Sequence, residues 1–229
     1  MDFCLINNLG KKEESNNKEC GQYNPYMNNE GSVMGFKGKD YIILTGDTRL
    51  SMGYSILSRD SSKIFKLTEK VFLASSGMYA DVISLYKNLK IRIELYKTTT
   101  KYEPSVESIS QLLSTALYGR RFFPYYAFNI LAGVNDQGEF KLYGYDAVGS
   151  FDSLDYASNG SGKELILPIL DSLLKNGYSN LDLTTGESLA KTAMNSCCNR
   201  DIYTGDKMDL VIIYKNGTYE TKQFDLRKD

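Results

Sequence analysis

The side chains that could do chemistry in this chain are carboxylates, lysines and hydroxyls, because the sequence contains no histidine. Without imidazole, the Ser-His-Asp and Cys-His arrangements for activating a nucleophile are excluded, and so are histidine-based metal sites. A hydrolase built from this sequence would need a different general base. The amine of a chain's first residue, assisted by a lysine, is such a base.

The sequence has four cysteines, Cys4, Cys20, Cys197 and Cys198, and no C-x-x-C motif. They are too few and too badly spaced for a structural zinc site. We interpret them as free thiols in a reducing compartment. The sequence therefore predicts neither a metal site nor a bound cofactor.

The charge balance and the apolar pattern limit the partners and the domain organisation. The chain carries 27 basic and 28 acidic residues, which gives no electrostatic reason to expect nucleic acid or an anionic membrane as a partner. No apolar run approaches the roughly 18 residues of a membrane-spanning helix. Residues 1–30 are rich in Asn, Lys and Glu and cannot bury enough apolar surface to fold alone. We predict a prosegment or flexible tail over residues 1–30 and one domain over residues 31–229.

The predicted strands and helices that must position any site are grouped along the chain, in the order strands, helices, strands, helices, strands. Hydrophobic periodicity predicts strands over residues 32–36, 40–45, 70–75, 125–134, 139–145, 208–214 and 218–224, and helices over residues 79–97, 105–118, 162–175 and 187–198. Another short strand is expected to end near Lys63, and Pro168 is expected to kink or tighten the third helix. This order excludes a doubly wound parallel sheet. It favours an α+β fold in which helices cover antiparallel sheets.

Six positions spread along the chain carry a pattern of spacing and residue type: Gly31, Asp47, Lys63, Ser161, Asp201 and Thr204. Asp47 and Lys63 lie 16 and 32 residues after Gly31. Ser161 stands in a G-S-G turn, and Asp201 and Thr204 belong to the segment D-I-Y-T-G-D. The pattern resembles the beta subunits of proteasomes, which are N-terminal-nucleophile hydrolases. The resemblance implies a four-layer αββα sandwich, with two antiparallel sheets face to face between two helical layers.

The resemblance also implies what the six positions do. In active members the first residue of the mature chain is a threonine, and its hydroxyl attacks the peptide with help from the aspartate and the lysine. Gly31 stands at the threonine position and has no side chain. The resemblance therefore implies a vestigial site with no catalytic residue. Asp47 and Lys63 are expected to survive as a buried ion pair, because pairing limits the cost of burying either charge.

Three of these positions also have plainer explanations. Asp47 could cap a turn, Lys63 could be a solvated charge, and Ser161 could stand at the start of a helix. All of them together, in family order and spacing, favour an ancestral active site. The alternative is an active threonine- or serine-type peptidase, self-processed at Ser32. That residue is one position out of register, so on a strand its side chain should point away from Lys63.

Four segments resemble the non-catalytic beta-6 branch of this family, also named beta type-1: NPY at residues 24–26, RDS at 59–61, RRFFPYY at 120–126 and LRKD at 226–229. The resemblance implies a structural subunit of the 20S core particle. Its partners would be other beta subunits in a heteroheptameric ring, an alpha ring and a second beta ring. Unfolded or ubiquitin-tagged polypeptides would pass through the enclosed chamber, in the cytoplasm and the nucleus. A free-standing binding module is a further alternative.

Overall fold

The computed structural model describes residues 24–175, 177 and 181–226, and it contains two five-stranded antiparallel sheets and four helices in that part of the chain. The sheets face each other, and a pair of helices covers the outer face of each. The αββα sandwich implied by the resemblance is therefore confirmed. Of the predicted tail over residues 1–30, residues 1–23, with Cys4 and Cys20, lie outside the described residues, and so do residues 227–229. Within the described ranges, no helix combines the length and the apolar character needed to cross a membrane.

The first sheet is built from strands that are far apart in the sequence. It consists of β1 (Ser32–Lys37), β2 (Tyr41–Asp47), β10 (Tyr156–Gly160), β11 (Lys207–Tyr214) and β12 (Tyr219–Asp225). The order across the sheet is β10-β1-β2-β11-β12. In this register Gly160 lies opposite Ser32, and Met208 lies opposite Asp47. The start of β1, the end of β2 and the end of β10 therefore meet at one end of the sheet.

The second sheet contains β5 (Ile64–Lys66), β6 (Val71–Gly77), β7 (Ala127–Val134), β8 (Phe140–Tyr145) and β9 (Phe151–Ser153), and the strands lie in chain order. A separate two-stranded hairpin pairs β3 (Leu50–Met52) with β4 (Ser55–Ser58). The hairpin connects the first sheet to the second, and Lys63 lies in the loop between β4 and β5. The predicted strand ending near Lys63 is therefore wrong. The strand ends at Ser58. Because the hairpin is exposed, its sequence has no clear apolar alternation from which the end of the strand could be predicted.

The helices are α1 (Tyr79–Thr100), α2 (Val106–Tyr118), α3 (Lys163–Leu174) and α4 (Leu183–Cys198). The buried residues of α1 recur at three- and four-residue spacing, which is the pattern of a helix with one face on a core. Ser105 caps α2, since its hydroxyl accepts a hydrogen bond from the backbone N–H of Ser108. Pro168 lies inside α3, which continues through it as one helix.

Three apolar layers hold the sandwich together. One lies between the first sheet and the helices α3 and α4, and a second lies between the second sheet and the helices α1 and α2. The third lies between the two sheets and includes Val33, Leu44, Ile130 and Val211. Because β1 and β2 face helices on one side and the second sheet on the other, both strands are buried along their full length.

Candidate functional site

Gly31 immediately precedes β1 and has a backbone that favours glycine, with φ of +86°. A Cβ placed there would lie 2.4 Å from Lys63 Cε, 2.5 Å from Lys63 Nζ and 2.7 Å from Asp47 Oδ1. Glu30 also has a left-handed backbone, with φ of +54°, which costs a non-glycine residue about 1–2 kcal/mol. The space that a nucleophile's side chain would need at position 31 is therefore filled by the lysine and the aspartate.

Asp47 and Lys63 form a buried ion pair, with 3.0 Å between Lys63 Nζ and Asp47 Oδ1. The ammonium also donates to the backbone carbonyls of Asp47 at 3.1 Å and Arg49 at 2.6 Å. The carboxylate accepts from the backbone N–H groups of Ser32, Arg49 and Gly205 at 2.8, 3.2 and 3.4 Å. Burial raises the pKa of Asp47, while the Lys63 charge and the backbone donors oppose that rise. The ion pair predicted from the sequence is present.

The Ser32 hydroxyl lies on the other side of the strand from this pair and is completely buried. It lies 2.6 Å from Thr204 Oγ1, and it accepts a hydrogen bond from the backbone N–H of Gly162 at 2.9 Å. The sulfur of Cys197 lies 3.7 Å away, and burial raises the pKa of that thiol to about 11. As the register predicted, the hydroxyl points away from Lys63. The alternative of an active nucleophile at Ser32 would therefore lack the assistance of this lysine.

Ser161, Asp201 and Thr204 form a connected chain of hydrogen bonds next to Gly31. The hydroxyls of Ser161 and Thr204 each donate to Asp201 Oδ2 at 2.6 Å. The backbone N–H of Ser161 donates to the carbonyl of Gly31 at 3.1 Å. Ser161 stands between β10 and α3, whereas Asp201 and Thr204 follow α4, so the fold brings three distant segments together. All six predicted positions converge at one end of the first sheet, and their vestigial role stays a prediction.

A second buried network supports the site, and the sequence pattern did not indicate it. The side chain of Arg49 donates to Asp206 Oδ2 at 2.9 Å and to the carbonyl of Ile202 at 2.9 Å. Arg59 also pairs with the Asp206 carboxylate. Burial acts to raise the pKa of Asp206, but the two arginines hold it below its ordinary value. The partners are more than 140 residues apart in sequence, so no local signal could have identified them.

A cleft of about 510 Å³ opens beside these residues. Its lining includes the polar side chains of Glu30, Ser161 and Asp201. It also includes the rings of Tyr126, Phe128 and Tyr203. Burial and the nearby Asp201 charge raise the pKa of Glu30. In the part of the chain that the structure describes, no group of three or more Cys, Asp or Glu side chains is arranged to hold a metal ion. The cleft is thus lined by hydrogen-bonding groups and aromatic rings.

Comparisons with known proteins agree with this geometry. Residues 27–213 match the family described as "Proteasome subunit", and the chain belongs to that family. Among its relatives is "Proteasome subunit beta type-1" of Arabidopsis thaliana, 45% identical over 93% of this chain and 99% of the relative. The protein of the same name from Dictyostelium discoideum is 40% identical over the full length of both chains. That of Drosophila melanogaster is 38% identical over 90% of this chain and 91% of its own length. The resemblance drawn from the six positions and the four segments is confirmed.

Proposed function

We propose that this protein is a non-catalytic, structural beta subunit of a 20S proteasome core particle. The observation that carries the proposal is that residue 31 is a glycine with no room for a side chain. A glycine stands where the family's nucleophile would be, and the Lys63 and Asp47 side chains occupy the space of the missing side chain. Without a nucleophile no acyl intermediate can form, and the remaining groups can only position or polarise a peptide.

The hydrogen bonds of Lys63 support the same proposal. An ammonium group has three donors, and here its three close partners are the Asp47 carboxylate and the backbone carbonyls of Asp47 and Arg49. A lysine that assists a nucleophile has to face the reacting hydroxyl. Lys63 Nζ lies beside position 31, but a glycine there offers it no hydroxyl, so its charge only ties the end of β2 to the loop before β5. We therefore assign it a structural role.

The assembly proposed for this subunit follows the names of its relatives, which are all subunits of a proteasome. We place it in a heteroheptameric beta ring that contacts an alpha ring and the opposite beta ring, around a chamber entered by unfolded or ubiquitin-tagged polypeptides. The end of α2 and the loop after it fit an interface, since Phe122 is fully exposed and Phe123 and Tyr118 are more than half exposed. We propose a cytoplasmic and nuclear location, as for the assembled particle.

An active-site probe tests the proposal. Purified particles are treated with an epoxyketone or a boronate that reacts with N-terminal threonines, and the intact mass of every subunit is measured. We expect adducts on neighbouring beta subunits and an unmodified mass for this chain. An adduct on any residue of this chain would show that it is catalytic. A chain found only as a free monomer would refute the structural role in a ring.

A further inference from the structure

The β3–β4 hairpin presents a concentration of exposed apolar side chains. Tyr54 at its tip is 97% exposed, and Met52, Ile56 and Leu57 are each between 39% and 52% exposed. The segment from residue 50 to residue 58 contains no charged residue, although charged residues make up 24% of the chain. An exposed apolar surface of this kind indicates a contact with another protein.

The apolar side chains lie on both faces of the hairpin. Ser51 pairs with Ile56 and Met52 pairs with Ser55, so Ile56 lies on one face and Met52 on the other. Leu57 follows Ile56 directly and therefore lies on the same face as Met52. A partner that covered only one face would leave the other face in water. The pattern therefore fits a partner that encloses the hairpin, as a groove does.

The hairpin is tied at its base, so its shape is fixed before any partner binds. Thr48 Oγ1 donates to the carbonyl of Arg59 at 2.8 Å, which joins the two arms below the strands. Arg49 and Arg59, one on each arm, both pair with the buried carboxylate of Asp206. At the tip, Gly53 has the positive φ, +57°, that a two-residue hairpin loop requires. A two-stranded hairpin alone is only marginally stable in water, and these contacts let a partner bind it without first ordering it.

The chain's own clefts do not match this hairpin. The cleft described above contains the carboxylates of Glu30 and Asp201. A second cleft, of about 360 Å³ beside β9 and β10, has Asp146, Asp152 and Lys163 in its lining. The hairpin has no charged group to pair with them, and burying a carboxylate or an ammonium without a partner is costly. A second copy of this chain is therefore a poor partner at either cleft.

We propose that the β3–β4 hairpin inserts into an uncharged, apolar groove on a different subunit of the particle. Tyr54 fills the deep end of that groove, and apolar walls cover both faces of the hairpin. Arg59 and Asp60, whose side chains are more than half exposed at the base, form the polar rim of the contact. The inference rests on the proposed function, because membership of a particle is what supplies a different subunit as the partner.

The first test places a photo-cross-linking residue at the tip. Purified particles that carry p-benzoylphenylalanine in place of Tyr54 are irradiated, and the cross-linked peptides are identified by mass spectrometry. We expect cross-links to one other kind of subunit. The same probe in place of Asn216, in the exposed turn between β11 and β12, is the matched control and should not cross-link to that groove. A cross-link from position 54 to a second copy of this chain, or no cross-link at all, would overturn the proposal.

The second test introduces a charge at the tip. Tagged Tyr54→Asp and untagged wild-type chains are expressed together, and their ratio is measured in purified particles and in the total soluble pool. We expect the variant to be depleted about tenfold or more in particles relative to the pool, because docking buries an unpaired carboxylate. The pool itself should hold both chains in similar amounts, since Tyr54 makes little contact within its own subunit.

Two control variants accompany this test. Tyr54→Phe keeps the aromatic ring and should be incorporated like the wild type. Asn216→Asp adds the same charge to another exposed hairpin turn and should also be incorporated normally. Equal incorporation of Tyr54→Asp and Asn216→Asp would refute the docking of the hairpin.

The tests separate this inference from the proposed function. A chain found only as a free monomer would refute both, because no other subunit would then be its partner. A chain that is present in particles, gives no cross-link from position 54 and tolerates Tyr54→Asp would refute the docking and leave the structural role intact.

Discussion

Removing the Asp47 carboxylate should damage this subunit, although the proposed function leaves it no catalysis to lose. In Asp47→Ala the Lys63 ammonium remains buried without its counter-ion, because its side chain is only 5% exposed. Breaking a buried ion pair by deleting one partner costs about 3–5 kcal/mol. A domain of this kind has a total free energy of unfolding of about 5–15 kcal/mol. The substitution therefore removes a large share of the stability that the subunit has to contribute to assembly.

The assay is a competition between variant and wild-type chains for places in the particle. Tagged Asp47→Ala and untagged wild-type chains are expressed together, and their ratio in purified particles is measured by mass spectrometry. A loss of 3 kcal/mol or so corresponds to more than a hundredfold change in the folding equilibrium, so we expect at least a tenfold depletion of the variant. Asp136→Ala is the matched control, since it breaks an exposed ion pair with Lys70 that contributes little.

A double variant separates the stranded charge from the loss of the carboxylate itself. Lys63→Met combined with Asp47→Ala removes both charges and should recover much of the incorporation. The recovery should be incomplete, because three backbone N–H groups still lose their acceptor. Incorporation of Asp47→Ala at the level of Asp136→Ala would show that the pair is dispensable, and the reasoning from burial would then be wrong.

Three further substitutions test other parts of the site. Gly31→Thr alone should leave the chain uncut, because the Glu30 side chain restricts the backbone turn that self-cleavage requires; adding Glu30→Gly removes that restriction and should give partial self-cleavage, and N-terminal sequencing of both variants decides. Asp206→Asn should lower the free energy of unfolding at neutral pH and should make that free energy fall less steeply in acid. The reason is that the depressed pKa of Asp206 contributes stability that disappears as pH falls below about 3.8. Unfolding curves recorded at several pH values measure both effects. Gly162→Ala should reduce particle incorporation, since a Cβ there would lie 2.0 Å from a buried cysteine sulfur, while Gly119→Ala should not.

Much of the fold could be predicted from local periodicity. The helices and the longer strands were found because each presents a regular apolar face to one of the three core layers. The strands that were missed are short and have little alternation, as in β9 (Phe151–Ser153) and β10 (Tyr156–Gly160). The start of α4 was placed four residues late, at Glu187 instead of Leu183. The layer arrangement came from the family resemblance, whereas the strand order within each sheet was not predicted, because pairing between distant strands has no local signal.

The candidate site likewise contains residues that the sequence indicated and residues that it did not. Spacing and family resemblance indicated the six positions that converge near Gly31. Two buried contacts were missed: the pairing of Arg49 with Asp206, and the hydrogen bond by which Asn29 Oδ1 accepts from the backbone N–H of Tyr79 at the start of α1. Each depends on contacts between segments at least 50 residues apart, and each uses a residue type that is common on surfaces. Such residues become informative only when the fold shows that they are buried and which groups they contact.

The geometry around Gly31 explains how a chain can lack the chemistry of its family and still need most of that family's site. A nucleophile's hydroxyl contributes reactivity, and its absence leaves only a small space, which the Lys63 side chain fills here. The aspartate and the lysine are different, because each compensates a charge that the other buries. The Asp47 carboxylate additionally joins β1, the segment after β2 and the segment before β11, because it accepts a hydrogen bond from a backbone N–H in each. A nucleophile's side chain can therefore be absent from position 31 alone, whereas Asp47 and Lys63 can be removed only together and at a cost to the fold.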